Sequence, residues 1–212
     1  MRLTQNANLL GLNQRNRGLL EQTLFTMSSA QERISTGWMV VTGAPGSGKT
    51  TLVAELESSG WRVIHDPARQ VLEEHARPTS PTGREEYARI QQEILRRMCD
   101  TADHLDPQET LFFDYALPDN LAFLSVAGLP WTEEHIRAAC RYKYRHVFVL
   151  ENPSTVGEVE RDLVRTESAE ERRWIYHLLL EIYALLGMAM TTVSWTSVSS
   201  RLKVLTGSSH LT

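Results

Sequence analysis

The chain alternates short apolar runs with longer segments in which apolar residues recur at helical spacing. Five apolar runs predict buried strands, near residues 38–41, 61–65, 111–113, 146–150 and 190–195. The segments between them carry apolar residues three and four positions apart, as amphipathic helices do. Strands that alternate with helices predict a parallel sheet covered by helices on both faces. We therefore expect a three-layer α/β fold with a five-stranded parallel sheet.

The first 36 residues lack this alternation. Asn and Gln interrupt every apolar run there, which predicts an N-terminal extension that is loosely ordered or forms a short surface helix. The same interruptions argue against a signal peptide, and a cleaved organellar presequence is the alternative. The expected domain then covers residues 37–207, with a helical lid at about 153–168 and a tail at 208–212.

Composition and charge argue against several classes of protein. The net charge of −4, with basic residues spread along the chain, argues against a dedicated nucleic-acid-binding surface. No run approaches the roughly 18 apolar residues of a membrane span. Cys99 and Cys140 have no metal-ligand spacing and predict reduced thiols, which favours a cytoplasmic location. We expect no nucleic-acid or membrane partner, and a homodimer is compatible with the sequence.

The strongest motif is Gly43-Ala44-Pro45-Gly46-Ser47-Gly48-Lys49-Thr50, a G-x-x-x-x-G-K-T sequence between a predicted strand and a predicted helix. Its glycines let successive backbone N–H groups converge on phosphate oxygens, and the helix N-terminus adds positive potential there. Lys49 is expected to reach the β- and γ-phosphates, and the Thr50 hydroxyl to bind Mg²⁺. The predicted nucleotide-binding residues are Gly43, Gly46, Ser47, Gly48, Lys49, Thr50 and Thr51. No Asn-Lys-x-Asp segment for reading guanine is present, so ATP with Mg²⁺ is the preferred ligand.

Two aspartates and two arginines are candidates for catalysis. Asp114 ends the third predicted strand and is expected to hold Mg²⁺, while Asp66 follows the second and is expected to deprotonate an acceptor hydroxyl. Each also fits a capping or turn position, and their two roles are interchangeable on the sequence alone. Arg161 and Arg165, four residues apart, are expected to close over the γ-phosphate from a lid; a solvated helix is the alternative.

Six segments together resemble a known family: GAPGSGKTTL, IHDPARQVLE, FFDYALPDNLAF, VFVLEN, RDLVRTESAEE and LLGM, the last followed by the terminal strand. They are similar to the small P-loop AAA-domain family related to the ribosylnicotinamide kinase part of NadR, and more distantly to the deoxynucleoside kinases. The resemblance spans roughly residues 37–206 and implies a kinase-type P-loop fold. It also implies that Asp66 acts on the acceptor hydroxyl and that Arg161 and Arg165 are the lid arginines.

The same resemblance implies an acceptor pocket lined by Arg69, Tyr87 and Gln91. The family commonly has Asp-Arg after the third strand, whereas this chain has Asp114-Tyr115. This departure removes an expected phosphate-facing cation, for which Arg161 and Arg165 could compensate. Tyr115 is itself among the expected substrate-binding residues.

These observations predict an ATP- and Mg²⁺-dependent phosphotransferase that acts on a hydroxyl of a nucleoside-like or natural-product metabolite. The expected catalytic residues are Lys49, Asp66, Asp114, Arg161 and Arg165. The alternative is a regulatory ATPase or switch protein that binds a nucleotide without a small-molecule acceptor. Phosphate-ester or antibiotic-modifying chemistry on the same scaffold is a third reading.

Overall fold

The computed structural model of the chain describes residues 11–75, 84–152 and 168–207. The strands in these ranges are β1 (Ile34–Ser35), β2 (Met39–Gly43), β3 (Val63–Ile64), β4 (Phe112–Asp114), β5 (Tyr142–Lys143), β6 (His146–Leu150) and β7 (Met190–Val193). The helices are α1 (Gln14–Ser29), α2 (Lys49–Ser58), α3 (Ala68–His75), α4 (Arg84–Asp103), α5 (Asp119–Val126), α6 (Glu133–Arg141), α7 (Ala169–Leu185) and α8 (Val198–Gly207).

The main sheet has five parallel strands in the order β3-β4-β2-β6-β7. This confirms the predicted five-stranded parallel sheet. Strand β2 is central, and its Val41 is level with Asp114 of β4 on one side and Phe148 of β6 on the other. Strands β1 and β5 form a separate parallel pair. The carboxyl ends of β4, β2 and β6 therefore meet at one edge of the main sheet.

Side chains on the two faces of the sheet enter two separate apolar clusters. Met39 and Val41 of β2 pack with apolar side chains of α2 and α8, among them Leu52 and Leu205. The alternate residue Val40 belongs to a larger cluster formed with helices α1 and α3–α7. Because successive strand residues point to opposite faces, a fully buried strand such as β2 serves both clusters. The predicted three layers are confirmed.

Three helices begin at a Ser or Thr residue that caps the N-terminus. Two of these helices, α6 and α7, were expected from the sequence, and the third, α8, was not. Ser168 caps α7 in a capping box with Glu171, and α6 begins after the cap residue Thr132. Helix α8 was not predicted, although its signal is present: the Ser197 hydroxyl accepts a hydrogen bond from the Ser200 N–H at 3.2 Å. No helix within the described ranges is long and apolar enough to cross a membrane.

Part of the N-terminal extension forms helix α1, which packs on the domain through buried side chains and so differs from the short surface helix considered for it. Leu20 and Met27 of α1 are buried, and the helix packs against α6. The Leu12 N–H donates to Glu181 Oε2 of α7 at 2.7 Å. Arg33 follows α1 and donates to the carbonyl groups of Cys140 at 2.9 Å and Leu186 at 3.1 Å, which lie at the ends of α6 and α7. The extension is therefore joined to the domain by apolar packing and by polar contacts.

We predict that α1 contributes to the stability of the domain. Leu20→Ala leaves a cavity in the core and is expected to lower the free energy of unfolding by about 2–5 kcal/mol in urea denaturation. Phe25→Ala, on the same helix, is the matched control: Phe25 is 75% exposed, so its removal is expected to change stability by less than about 0.5 kcal/mol. Equal stability of the two variants would show that the packing of Leu20 does not contribute to the stability of the domain.

Candidate functional site

The glycine-rich loop lies between β2 and α2, where the sequence analysis expected it. Gly48, just before α2, has φ +73°, a conformation that side chains other than glycine rarely adopt. A Cβ at Gly43 would lie 2.9 Å from the carbonyl oxygen of Leu150, so glycine permits the close approach of β6. Thr50 and Thr51 are exposed in the first turn of α2, and the Ser47 hydroxyl is buried without a partner among the described residues.

The structure brings Lys49 and Asp114, two of the predicted site residues, into direct contact. The Lys49 ammonium is 2.6 Å from Asp114 Oδ1, and the two residues are 7% and 9% exposed. The pairing follows from the sheet, since β4 lies directly beside β2. Charged groups in such a dry site interact more strongly than they do in water.

Tyr115 is buried against the loop. Its hydroxyl donates to the Gly43 carbonyl at 2.8 Å, and the Lys49 ammonium lies 3.9 Å from the centroid of its ring. Its φ of +65° is uncommon for a residue with a side chain. Tyr115, which stands where the resemblance implies arginine, thus donates a hydrogen bond to the loop and places its ring against Lys49. The assignment of Tyr115 to substrate binding stays a prediction.

Asp66 follows β3, the strand beside β4, and is half-buried. Its Oδ1 accepts a hydrogen bond from the Ala68 N–H at 2.8 Å at the start of α3, which is the capping geometry weighed in the sequence analysis. Because Asp66 follows β3 and Asp114 ends the neighbouring parallel strand β4, the two residues lie on the same edge of the sheet. Its role toward an acceptor stays a prediction.

The remaining predicted site residues lie on helices or outside the described ranges. Arg69 belongs to α3, and Tyr87 is half-buried on α4. Gln91, also on α4, is buried, and its Oε1 accepts a hydrogen bond from Asn120 Nδ2 at 2.9 Å. Arg161, Arg165 and the lid at about 153–168, except Ser168, lie outside the described residues.

The structure adds three residues at the loop that sequence reasoning missed. Arg201 of α8 is 3% exposed, and its Nη1 donates to the Ser47 carbonyl at 2.9 Å. Trp195 follows β7 and is 41% exposed, with the Arg201 guanidinium 4.8 Å from its ring centroid. Asn152, just after β6, donates from Nδ2 to the Pro45 carbonyl at 3.3 Å. For Asn152 a signal was available, because it directly follows a predicted strand as Asp114 does.

Asp119 is a further buried acid behind the loop. It is 2% exposed and accepts hydrogen bonds from the Thr42 hydroxyl, from the Ala116 N–H at 2.6 Å and from the Tyr183 hydroxyl at 2.7 Å. Burial raises the pKa of Asp119 to about 6, an effect that these three donors and the Lys49 charge partly offset. Asp119 joins the end of β2 to α5 and α7.

Sequence comparison matches residues 38–201 to the model of a family described as "AAA domain". This range begins just before β2 and ends at Arg201 in α8. No curated protein sequence matches the chain.

Structure comparison finds solved kinases with the same fold. A structure of deoxyadenosine kinase from M. mycoides, with the product dCMP and a flexible dCDP bound, has a TM-score of 0.55 and 15% identity; the alignment covers 81% of this chain and 97% of that one. The same kinase with bound dATP has a TM-score of 0.54 and 13% identity, covering 81% and 98%. At this identity the likeness concerns the fold, which is that of a P-loop kinase. The link to NadR stays a prediction.

The raised pKa of Asp119 predicts a specific pH dependence of stability. Between about pH 4 and pH 6 the folded protein keeps a proton on Asp119 that the unfolded chain has lost, so this group makes stability fall as pH rises through that range. Asp119→Asn cannot titrate. We expect the stability advantage of the wild type over this variant in urea unfolding to be about 1–3 kcal/mol smaller at pH 7 than at pH 4. An advantage that is constant with pH would contradict the raised pKa.

Proposed function

The chain belongs to the AAA-domain family, and from this membership and the geometry of its loop we propose that it is a kinase that transfers a phosphoryl group from ATP to a hydroxyl of a small metabolite. The observation that carries the proposal is the Lys49–Asp114 ion pair at the end of a G-x-x-x-x-G-K-T loop. Such a loop binds phosphates through backbone N–H groups, and a mobile ammonium beside it neutralises them. The proposed nucleotide-binding residues are those predicted from the sequence: Gly43, Gly46, Ser47, Gly48, Lys49, Thr50 and Thr51.

On the donor side, Lys49 exchanges Asp114 for the β- and γ-phosphates when the nucleotide binds. The Asp114 carboxylate and the Thr50 hydroxyl are hard oxygen ligands that suit Mg²⁺. The metal, when bound, neutralises charge on the phosphate oxygens. Asp114 pairs with Lys49 in this structure and, together with Thr50, would hold Mg²⁺ when the nucleotide is bound.

On the acceptor side, Asp66 takes the proton of the acceptor hydroxyl. The hydroxyl oxygen then forms a bond to the γ-phosphorus, and the bond from that phosphorus to the bridging oxygen breaks, leaving its electron pair on ADP. Arg69, Tyr87, Gln91 and Tyr115 would bind the acceptor. Arg161 and Arg165 would close over the transferred group.

The acceptor we propose is nucleoside-like or a natural product with a free hydroxyl. Support comes from the fold, which this chain shares with a deoxyadenosine kinase that binds dATP. The resemblance to the ribosylnicotinamide kinase part of NadR favours a nucleoside as well. A second candidate, a regulatory ATPase without an acceptor, is favoured by Tyr115, because the expected arginine is absent beside Asp114.

The base of the nucleotide is proposed to stack on Trp195. A Cβ at Gly48 would lie 3.1 Å from Trp195 Cζ3, so the indole ring adjoins the loop where α2 begins. The Arg201 guanidinium lies over the ring, and Trp195 itself is 41% exposed. An exposed aromatic ring next to a phosphate site offers stacking that does not depend on which base is bound.

We predict that Asp66→Asn lowers kcat of acceptor phosphorylation about 100-fold or more and leaves ATP affinity unchanged, because it removes a general base. The amide oxygen can still accept the Ala68 N–H, so α3 keeps its start. Acceptors are screened as a panel of nucleosides and other hydroxyl-bearing metabolites, with ADP release as the readout. Asp106→Asn is the matched control, since Asp106 Oδ1 accepts the Gln108 N–H at 2.9 Å in the same way, away from the loop.

Three results would count against parts of this proposal. Equal ADP release by wild type and Asp66→Asn would contradict the role of Asp66. Slow hydrolysis that no acceptor stimulates would favour the regulatory ATPase. Retained ATP binding in Lys49→Met would contradict the phosphate site itself; the double variant with Asp114→Asn removes the unpaired buried carboxylate and so separates binding from folding.

We also predict that Trp195→Ala weakens ATP binding about tenfold in calorimetry and leaves the affinity for inorganic tripolyphosphate unchanged, because only ATP carries a base. Trp195→Phe should keep most of the affinity. Phe25→Ala removes an exposed aromatic side chain on α1 and is the control. Equal losses for ATP and tripolyphosphate would show that Trp195 supports the phosphate loop instead of the base.

A further inference from the structure

Three carbonyl oxygens of the loop, belonging to alternate residues, each accept a hydrogen bond from a side chain that is distant in sequence. The pairs are Tyr115 Oη with Gly43 (2.8 Å), Asn152 Nδ2 with Pro45 (3.3 Å) and Arg201 Nη1 with Ser47 (2.9 Å). The donors come from three different places: the end of β4, the end of β6 and helix α8. One side of the loop backbone is therefore held along its length.

The direction of these carbonyl groups matters for an anion. Each peptide unit carries its C=O and its N–H on opposite sides, so rotation of the unit exchanges one for the other. A phosphate is attracted by N–H groups and repelled by carbonyl oxygens. Carbonyl groups that turn into the protein need donors there, because an unsatisfied buried oxygen is costly. Side-chain donors at alternate positions meet that need and oppose rotation.

Arg201 carries the sharpest evidence that this arrangement serves an anion. Arg201 is only 3% exposed, and its Nε has no hydrogen-bond partner among the described residues. No carboxylate in the described ranges forms an ion pair with it. Burial lowers the pKa of Arg201, and no acidic neighbour offsets that effect. A buried positive charge without an anionic partner is unfavourable until an anion binds nearby.

Tyr115 supports the same reading. A non-glycine residue at φ +65° persists only where its surroundings hold it there, and such strained residues concentrate at functional sites. The hydroxyl bond to Gly43 and the ring contact with Lys49 both depend on that conformation.

We propose that Tyr115, Asn152 and Arg201 are positioning residues that hold the carbonyl groups of the phosphate loop away from the bound nucleotide, and that Arg201 also supplies positive charge that the phosphates compensate. The inference rests on the proposed function of this loop. It is separable from that function, because the loop can bind phosphate with or without help from these side chains.

The test is calorimetry of the whole chain with Mg²⁺ and either ATP or inorganic tripolyphosphate. Tyr115→Phe and Arg201→Met are each expected to lower the affinity for ATP and for tripolyphosphate by the same factor, about five- to tenfold. Asn152→Ala should lower both affinities by less, because the hydrogen bond of Asn152 is longer. Arg201→Lys should restore part of the loss. The matched controls are Tyr142→Phe, whose hydroxyl donates to Asp103 Oδ1 at 2.6 Å, and Lys203→Met, an exposed cation on α8.

Thermal unfolding without ligand separates positioning from a merely structural role. Arg201→Met removes a buried charge that has no ion-pair partner among the described residues, and it also removes the hydrogen bond to the Ser47 carbonyl. Because these two effects on stability oppose one another, the melting temperature of the ligand-free protein should stay within a few degrees of the wild type, whereas a structural role alone would lower it and spare the affinity of the folded protein. Wild-type affinities in all three variants would overturn this inference alone, as would loss of ATP binding without loss of tripolyphosphate binding. A wild type that binds neither ligand would overturn the proposed function together with it.

Discussion

A loop that presents its N–H groups to an anion must point its carbonyl groups away from that anion. In this loop three of the carbonyl groups point into the protein, where side chains donate hydrogen bonds to them. This constraint explains why the loop follows the central strand. Strand β2 has β4 on one side and β6 on the other, so a side chain from each neighbouring strand end reaches a loop carbonyl: Tyr115 after β4 and Asn152 after β6. Helix α8, which packs on α2, supplies the third donor, Arg201.

The same edge of the sheet concentrates charge in a dry place. Lys49 and Asp114 are almost fully buried and neutralise one another, while Asp119 lies behind them with a pKa raised to about 6. Arg201 adds a cation without an acid partner among the described residues. Where the resemblance implies an arginine after Asp114, this chain has Tyr115, and the buried guanidinium comes from α8 instead.

Much of the fold could be predicted because its signals are local. The apolar runs of β2 and β6, the glycine spacing of the loop and the capping box at Ser168 each depend on a few adjacent residues. The Lys49–Asp114 pair was also predictable, since it requires only that two strand ends lie on one edge. Helix α1 was harder, because Asn and Gln blur its apolar spacing and Leu20 is buried only through packing on the rest of the fold.

Arg201, Asp119 and Trp195 were not predictable in this way, and the reason is physical. Arg201 lies 154 positions from Ser47, and nothing in its own segment distinguishes it from a solvated arginine on a helix. Its contact with the loop forms when β7 and α8 return the chain to the loop. The proposed nucleotide site therefore depends on the last elements of the domain as well as on the motif near its start. Because a ligand that binds only the folded state stabilises it, the phosphate loop and the docking of α8 are thermodynamically linked.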